Sequence, residues 1–331
     1  MKITITIAPL LLSLFLTSIV QPLRGLRIVQ YNVEWLFIDY NAAADCPGNG
    51  CSWKNKTDAE IHLDTVSKNL AEIDPDIVNF CEVQGLDELN QVSQNLNNGI
   101  KPYFVKGKDT STGQNVGLLS KIMPNIAPYR TDARATYPIP GSKCGYQSPP
   151  DSPTADTGVS KHSISEFILP ELGQTALITA HLLAFPTDPL RCAEREAQAT
   201  VLHKVIADYL AKGYEVIVMG DFNDYDGTIL DSNGDRPISQ VLDILKINGS
   251  LTNIAEKIPQ TSRFTEWYDA NKNCVSTPNE FSMIDHILVS SKIFAHLKNA
   301  HIYQNYGEYC GTYQSDHYPV VLDLDLEPVF A

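Results

Sequence analysis

The chain predicts a mixed α/β fold, with sheets that combine parallel and antiparallel strands rather than one doubly wound parallel sheet. Apolar strand-like runs and amphipathic helical stretches interleave along it, but at no regular β-α period. At 331 residues and 43% hydrophobic content it can bury a large core. No compositional break, internal repeat or low-complexity tract divides it, so residues 26–331 read as a single domain.

Residues 1–25 come first. Ile3 to Val20 form an apolar stretch after one lysine, relieved only by Thr, Ser and Pro, which is the layout of a secretory signal peptide. A membrane-retained anchor is the alternative, because a stretch of about 18 apolar residues is borderline for spanning. Leu26 to Val33 then reads as a strand. Thr57 to Ile73 reads as a helix, with Thr57 able to cap its start and Ile61, Val66, Leu70 and Ile73 on one side. Ile77 to Val83 and Val116 to Ser120 read as strands, and the Pro-, Ser-, Thr-, Asp- and Gly-rich residues 124–157 as a long surface excursion. Val159 to Leu169 and Thr175 to Leu183 suit a hairpin turning at Pro170-Glu-Leu-Gly173. Pro189 to Lys212 is the clearest helix, with Gly213 as its stop, and Tyr214 to Gly220 follows as a strand. Two more apolar runs close the chain, one after Asp285-His286 and one from Tyr318 to Leu326.

The formal net charge of -14 argues against a broad basic footprint for nonspecific nucleic-acid binding, since an acidic surface repels phosphate at long range. Seven cysteines suit an exported chain: six can form three disulfides. Cys81, inside the apolar run Asp76-Ile-Val-Asn-Phe-Cys81, is the expected free thiol. Cys46 and Cys51 flank a turn and suit a local bridge; Cys144 with Cys192 and Cys274 with Cys310 are one choice among about 15 pairings. A zinc site is disfavoured, because there is no Cys-x-x-Cys and the cysteines do not cluster with histidines.

Short polar segments recur at the carboxyl ends of apolar runs: Tyr31-Asn32-Val-Glu34, Phe80-Cys-Glu82, Thr179-Ala-His181, Met219-Gly-Asp221-Phe-Asn223, Ile284-Asp285-His286 and Ser315-Asp316-His317. Any one could simply mark where a strand meets water. Glu82 and Asp316 are hard oxygen donors suited to magnesium or manganese, and Asn32 adds a neutral oxygen. Asp285 can orient His317 and stabilise its charged form while the other ring nitrogen moves a proton. Asp221 and Asn223, two apart across a turn, could hold an attacking water and a phosphate oxygen. His181 could donate to a phosphate oxygen or be a satisfied core histidine. Together these groups point to hydrolysis.

These segments, with Asn32-Val-Glu-Trp35, Gly117-Leu-Leu-Ser120 and Ser315-Asp316-His317-Tyr-Pro319, resemble in order the endonuclease/exonuclease/phosphatase superfamily. It includes deoxyribonuclease I, abasic-site endonucleases of the exonuclease III type, inositol polyphosphate 5-phosphatases and neutral sphingomyelinases. The resemblance spans about residues 26 to 326. It implies a four-layer sandwich of two packed mixed β-sheets flanked by helices, and a divalent-metal (Mg2+ or Mn2+) phosphoesterase site at the sheet edges. It further implies Glu82 as principal metal ligand with Asn32 and Asp316 nearby, His317 paired with Asp285, His181 as a phosphate donor, and Asp221 with Asn223 holding water and transition state. The deoxyribonuclease pattern has an acidic partner for the first histidine. Here Thr112-Gly-Gln114-Asn115 offers amides instead, leaving Gln114 and Asn115 as phosphate or metal-water contacts.

The expected product is a secreted, monomeric phosphodiesterase with no membrane span after leader removal. Its first candidate substrate is DNA or RNA, with Arg130, Arg134, Lys161, Arg191 and Arg195 touching phosphates. A lipid or small-molecule phosphoester is the alternative. Tyr137, Tyr146, Trp267 and Tyr268 would serve a lipid interface or stacked bases equally.

Overall fold

A computed structural model describes residues 25–38, 53, 55–148, 155–307, 310 and 312–326. The leader and the Cys46–Cys51 bridge expected above lie outside the described residues. The first sheet takes β1 (Leu26–Leu36), β2 (Ile77–Val83), β3 (Lys101–Tyr103) and β4 (Asn115–Ser120), with α1 (Lys56–Ile73) and α2 (Leu86–Leu96) interspersed. In the excursion, β5 (Ala135–Tyr137) and β6 (Ala155–Thr157) pair with each other. The second sheet uses β7 (Lys161–Leu169), β8 (Gly173–His181), β9 (Glu215–Asp221) and β10 (Leu251–Asn253), joined through α3 (Pro189–Ala211) and α4 (Val241–Lys246). A small pair, β11 (Glu266–Trp267) and β12 (Phe281–Ser282), precedes β13 (Asp285–Ser290), α5 (Ser291–Ala295), β14 (Leu297–Ile302) and β15 (Val320–Leu324).

The six-stranded sheet runs β14-β15-β1-β2-β4-β3 and the five-stranded sheet β10-β13-β9-β8-β7. Each holds one parallel pair, β1 with β2 and β8 with β9, among antiparallel neighbours, so both sheets are mixed. Local chemistry sets the boundaries. Asn55, not Thr57, caps α1 by accepting from the Asp58 N–H, because the helix starts one residue earlier than its apolar pattern suggests. Leu63, Val66, Leu70 and Ile73 make its buried stripe, whereas Ile61 falls out of that spacing and is exposed. Asp188 caps α3 ahead of Pro189, and Gly213 takes the left-handed conformation just past its end.

Three apolar layers hold the sandwich. Leu26, Ile28 and Ile77 meet Leu177, Ile217, Met219, Ile287 and Val289 between the sheets. Val29, Tyr31, Val78 and Phe80 pack outward on α1 and α2, while Ile164, Ile178, Val216 and Val218 pack on α3 and α4. Because side chains alternate faces along a strand, one parity of each strand lies between the sheets. That inward series changes character along the chain: Leu26, Ile28, Gln30, Asn32 on β1; Ile217, Met219, Asp221 on β9; Val289, Ile287, Asp285 read backwards on β13. The polar ends converge at one edge of the sandwich.

Two expected disulfides are formed, Cys144–Cys192 and Cys274–Cys310, and Cys81 is a buried free thiol. Trp267 is not a rim residue. It is fully buried, with its indole N–H on Glu280. No helix among the described residues is long and apolar enough to cross a membrane.

Candidate active site

Two bulges aim the first groups. The β1–β2 register breaks between Asn32 and Leu36, and the β2–β4 register breaks between Cys81 and Val83. Glu34, Trp35 and Glu82 there adopt positive φ (48°, 53° and 68°), a costly conformation for residues with a Cβ and one that clusters at functional sites. Glu82 is thereby held against Asn32, whose Nδ2 donates to its Oε1 (3.3 Å), and accepts from the Trp35 N–H (3.2 Å).

From the second sheet, Gly220 lets β9 approach β8: a Cβ there would lie 1.8 Å from the Ala180 carbonyl oxygen. Asp221 follows, its Oδ1 accepting from the Asn223 N–H (2.9 Å) and its Oδ2 from Asn32 Nδ2 (2.9 Å) across the sheets. His181 Nε2 stands 3.5 Å from Asp221 Oδ2 and 3.9 Å from Glu82 Oε1. Ser315 joins the last segment to the first. Its hydroxyl donates to the Asn32 carbonyl (2.9 Å) and accepts from the His317 N–H (3.0 Å). His317 Nδ1 meets Asp285 Oδ2 at 2.7 Å. Glu82, His181, Asp221, Asn223, Asp316 and His317 all line one cleft of about 420 Å³, so the acids and imidazoles share a single space.

The two histidines are driven apart electrostatically. Burial opposes charge on His317, yet the Asp285 carboxylate holds its imidazole well above the ordinary range. Burial, reinforced by Lys161, keeps His181 well below it and neutral. Asp221 is pushed up to about 8 by burial and by neighbouring Asp285. Burial and then Glu34 raise Asp316, and burial raises Glu266. Opposed environments for like groups are how one site obtains both an acid and a base.

Gln30 and Glu266 escaped the sequence reading, and Glu34 was given no role in it. Gln30, fully buried, donates from Nε2 to Asp285 Oδ1 (3.1 Å) and accepts from Asn79. Glu34 Oε2 accepts from the Asp316 N–H (3.1 Å), and Glu266 lines the cleft. A polar residue at an inward strand position was the available signal for Gln30.

The expected substrate contacts divide. Lys161 Nζ bonds Gln114 Oε1 (3.2 Å) and lies 3.5 Å from His181 Nε2, so both belong beside the site. Arg191 sits over the Phe185 ring, 5.0 Å from its centroid. Asn115 is a correction: its amide is spent on the Gly107 N–H and the Gln84 and Gly113 carbonyls, which close a loop. Arg195 is another, fully buried and committed to Asp224 and three carbonyls. Arg130 and Arg134 likewise donate to backbone carbonyls. His286 stays outside the site, bonded to Asn253 and the Asp224 carbonyl.

The model of the Endonuclease/Exonuclease/phosphatase family matches residues 29–317. The chain belongs to this family. No curated protein matches it. Among solved structures, a Neisseria 3′ phosphatase, NExo, bound to a product DNA hairpin, is similar at TM-score 0.59 and 17% identity, with 91% of this chain and 100% of that one covered. A mannosyl-6-phosphatase from Bacteroides thetaiotaomicron follows at 0.52 and 18%, covering 91% and 99%. Truncated Caenorhabditis elegans TDP2 gives 0.53 and 14%, covering 91% and 97%. At these identities the likeness is one of fold.

Does the endonuclease/exonuclease/phosphatase site suit a divalent cation? Of three groupings with metal-ligand spacing among the described residues, two contain the disulfide sulfurs, leaving Asp221, Asp285 and His317. Beside it, Asp316 Oδ1 is buried with no hydrogen-bond partner, and Glu82 and Glu34 act on Asp316 electrostatically. Crowded hard oxygens with an unsatisfied carboxylate atom fit such an ion. The chain is thus a metal-dependent hydrolase of this family.

Proposed function

We propose that the chain is an exported, nuclease-like phosphodiesterase dependent on Mg2+ or Mn2+, cleaving by in-line attack of water. The convergence of Glu82, Asp316, Asp221 and the His317–Asp285 dyad on one cleft carries this reading. Glu82 and Asp316 would hold the cation, with Asn32 beside them; when bound it draws charge from the phosphoryl oxygens. His317, kept charged by Asp285, donates to a phosphoryl oxygen, where negative charge grows in the transition state. Neutral His181 donates an N–H to the same group. Asp221, its rotamer fixed by the Asn32 amide and the Asn223 N–H, orients water and, as the carboxylate, takes its proton. Two disulfides support passage through an oxidising compartment.

A lipid or small-molecule phosphoester is the second reading. It is favoured by Arg130, Arg134 and Arg195 being engaged internally, which leaves Lys161 and Arg191, of the five expected phosphate contacts, near the cleft. Purified protein incubated with plasmid, sphingomyelin and a soluble phosphoinositide, with and without magnesium, tests both. Magnesium-dependent plasmid cleavage that a chelator abolishes is expected. Hydrolysis of either lipid substrate with intact plasmid would reverse the order of the two readings.

A further inference from the structure

We propose that Phe185 is a stacking platform for a nucleobase next to the scissile phosphate, an inference that rests on the phosphodiesterase reading above. Phe185 lines the active cleft yet remains 58% exposed, unusual for so large an apolar ring. Its φ of 68° places a residue with a Cβ in the left-handed region, where glycine would be relaxed. The chain holds it there with a fully buried guanidinium. Arg195 donates to the carbonyls of Leu183 (3.0 Å), Phe185 (3.1 Å) and Pro186 (3.0 Å), and is fixed in turn by Asp224 (3.0 Å). A strained loop braced by a buried charge displays an aromatic face at the mouth of a hydrolytic cleft, instead of burying it.

The ligand class follows from what already touches the ring. The Arg191 guanidinium lies 5.0 Å from the Phe185 centroid, which uses the ring's attraction for cations. A quaternary ammonium headgroup would be repelled there by like charge. A neutral planar base stacks on an aromatic ring whatever its sequence, and an adjacent guanidinium adds to that surface. Tyr268, also exposed and lining the same cleft, supplies a second ring.

The test compares a short oligothymidylate with a series carrying one abasic (tetrahydrofuran) nucleotide at each position in turn, with p-nitrophenyl phosphorylcholine as a lipid-headgroup probe. In wild type, loss of the base at one position beside the cleavage point lowers kcat/KM about 10-fold. Phe185→Ala collapses that ratio towards one, mainly through KM, and Phe185→Trp restores it. Phe185→Gly also loses it while melting no lower than wild type, because glycine relieves the positive φ. A ratio unchanged in Phe185→Ala, or no base dependence in wild type, overturns the platform and leaves the phosphodiesterase reading standing. Failure of the wild type to cleave any oligonucleotide while hydrolysing the choline ester, itself a phosphodiester, overturns the platform and the nuclease-like part of the reading it rests on.

Discussion

Replacing Arg195 by methionine tests how the cleft wall is held. The side chain is fully buried, its Nε bonds Asp224 Oδ2 at 3.0 Å, and its terminal nitrogens satisfy three carbonyls of residues 183–186. Removing it leaves the buried Asp224 carboxylate accepting from Ser239 Oγ (2.7 Å) and the Tyr225 N–H (3.0 Å) among the described residues, with no cation beside it. Burial already pushes the Asp224 carboxyl up, against the pull of Arg195. Breaking a buried pair from one side typically costs about 3–5 kcal/mol. At about 2–4 °C per kcal/mol for large domains, the melting midpoint falls on the order of 10 °C. Urea unfolding followed by tryptophan fluorescence measures the loss directly. The double variant Arg195→Met with Asp224→Asn, which removes the stranded charge, recovers at least about 1 kcal/mol relative to the single variant. A loss under about 1 kcal/mol in Arg195→Met, or strictly additive changes in the double variant, would refute the argument that this pair braces the loop.

Three other outcomes are expected. Glu82→Ala and His317→Ala each lower metal-dependent turnover by about 100 to 1,000-fold with circular dichroism unchanged; wild-type rates in folded protein would remove them from the mechanism. Gln30→Glu, nearly isosteric, places a like charge against Asp285 and lowers kcat by about 10-fold or more, whereas full activity would show that the 3.1 Å bond positions nothing. His162 is held neutral: Nδ1 donates to the Val159 carbonyl (2.7 Å), Nε2 accepts from the Thr131 N–H (2.9 Å), and burial, then Arg130, lowers it to about 4. Its folded value lies below the unfolded value of about 6.5, so between the two the unfolded chain binds more protons and stability falls as pH drops. The contribution, about 3 kcal/mol, is complete above about 6.5 and lost by about 4. His162→Gln should flatten that part of the stability curve, and an unaltered slope would contradict the tautomer assignment.

Much of the chemistry was legible because it sits in short segments. Asn32, Glu82, His181, Asp221, Asp285 and His317 each end or begin an apolar run, and a strand's fixed direction carries such ends to the same edge. Neighbours across the sandwich were harder to read. Gln30 looks like any polar residue in β1 until β13 is laid opposite it and Asp285 comes within hydrogen-bond reach. Arg195 sits in a helix rich in charge, where a solvated face is the ordinary expectation. Only the return of the loop at 183–186 and of Asp224 shows that it is enclosed. Trp267 misled for the converse reason: its exposed neighbour Tyr268 and the surrounding turn residues suggest surface, but pairing of β11 with β12 turns the indole inward. In α2 the signal was present, because Leu86, Leu89, Val92 and Leu96 recur every three or four residues, with Leu89 and Val92 buried.

The dyad straddles the molecule's midplane. His317 belongs to the segment entering β15 in one half, and Asp285 opens β13 in the other. A cut between residues 121 and 160 would leave both on the later fragment, yet strip β15 of its partner β1 and the cleft of Glu82. Slippage of one half past the other by about an ångström would part this 2.7 Å pair before either half lost its secondary structure. Catalytic competence should therefore vanish ahead of far-ultraviolet ellipticity on gradual denaturation, making hydrolysis a finer gauge of the halves' alignment than any bulk spectroscopic signal.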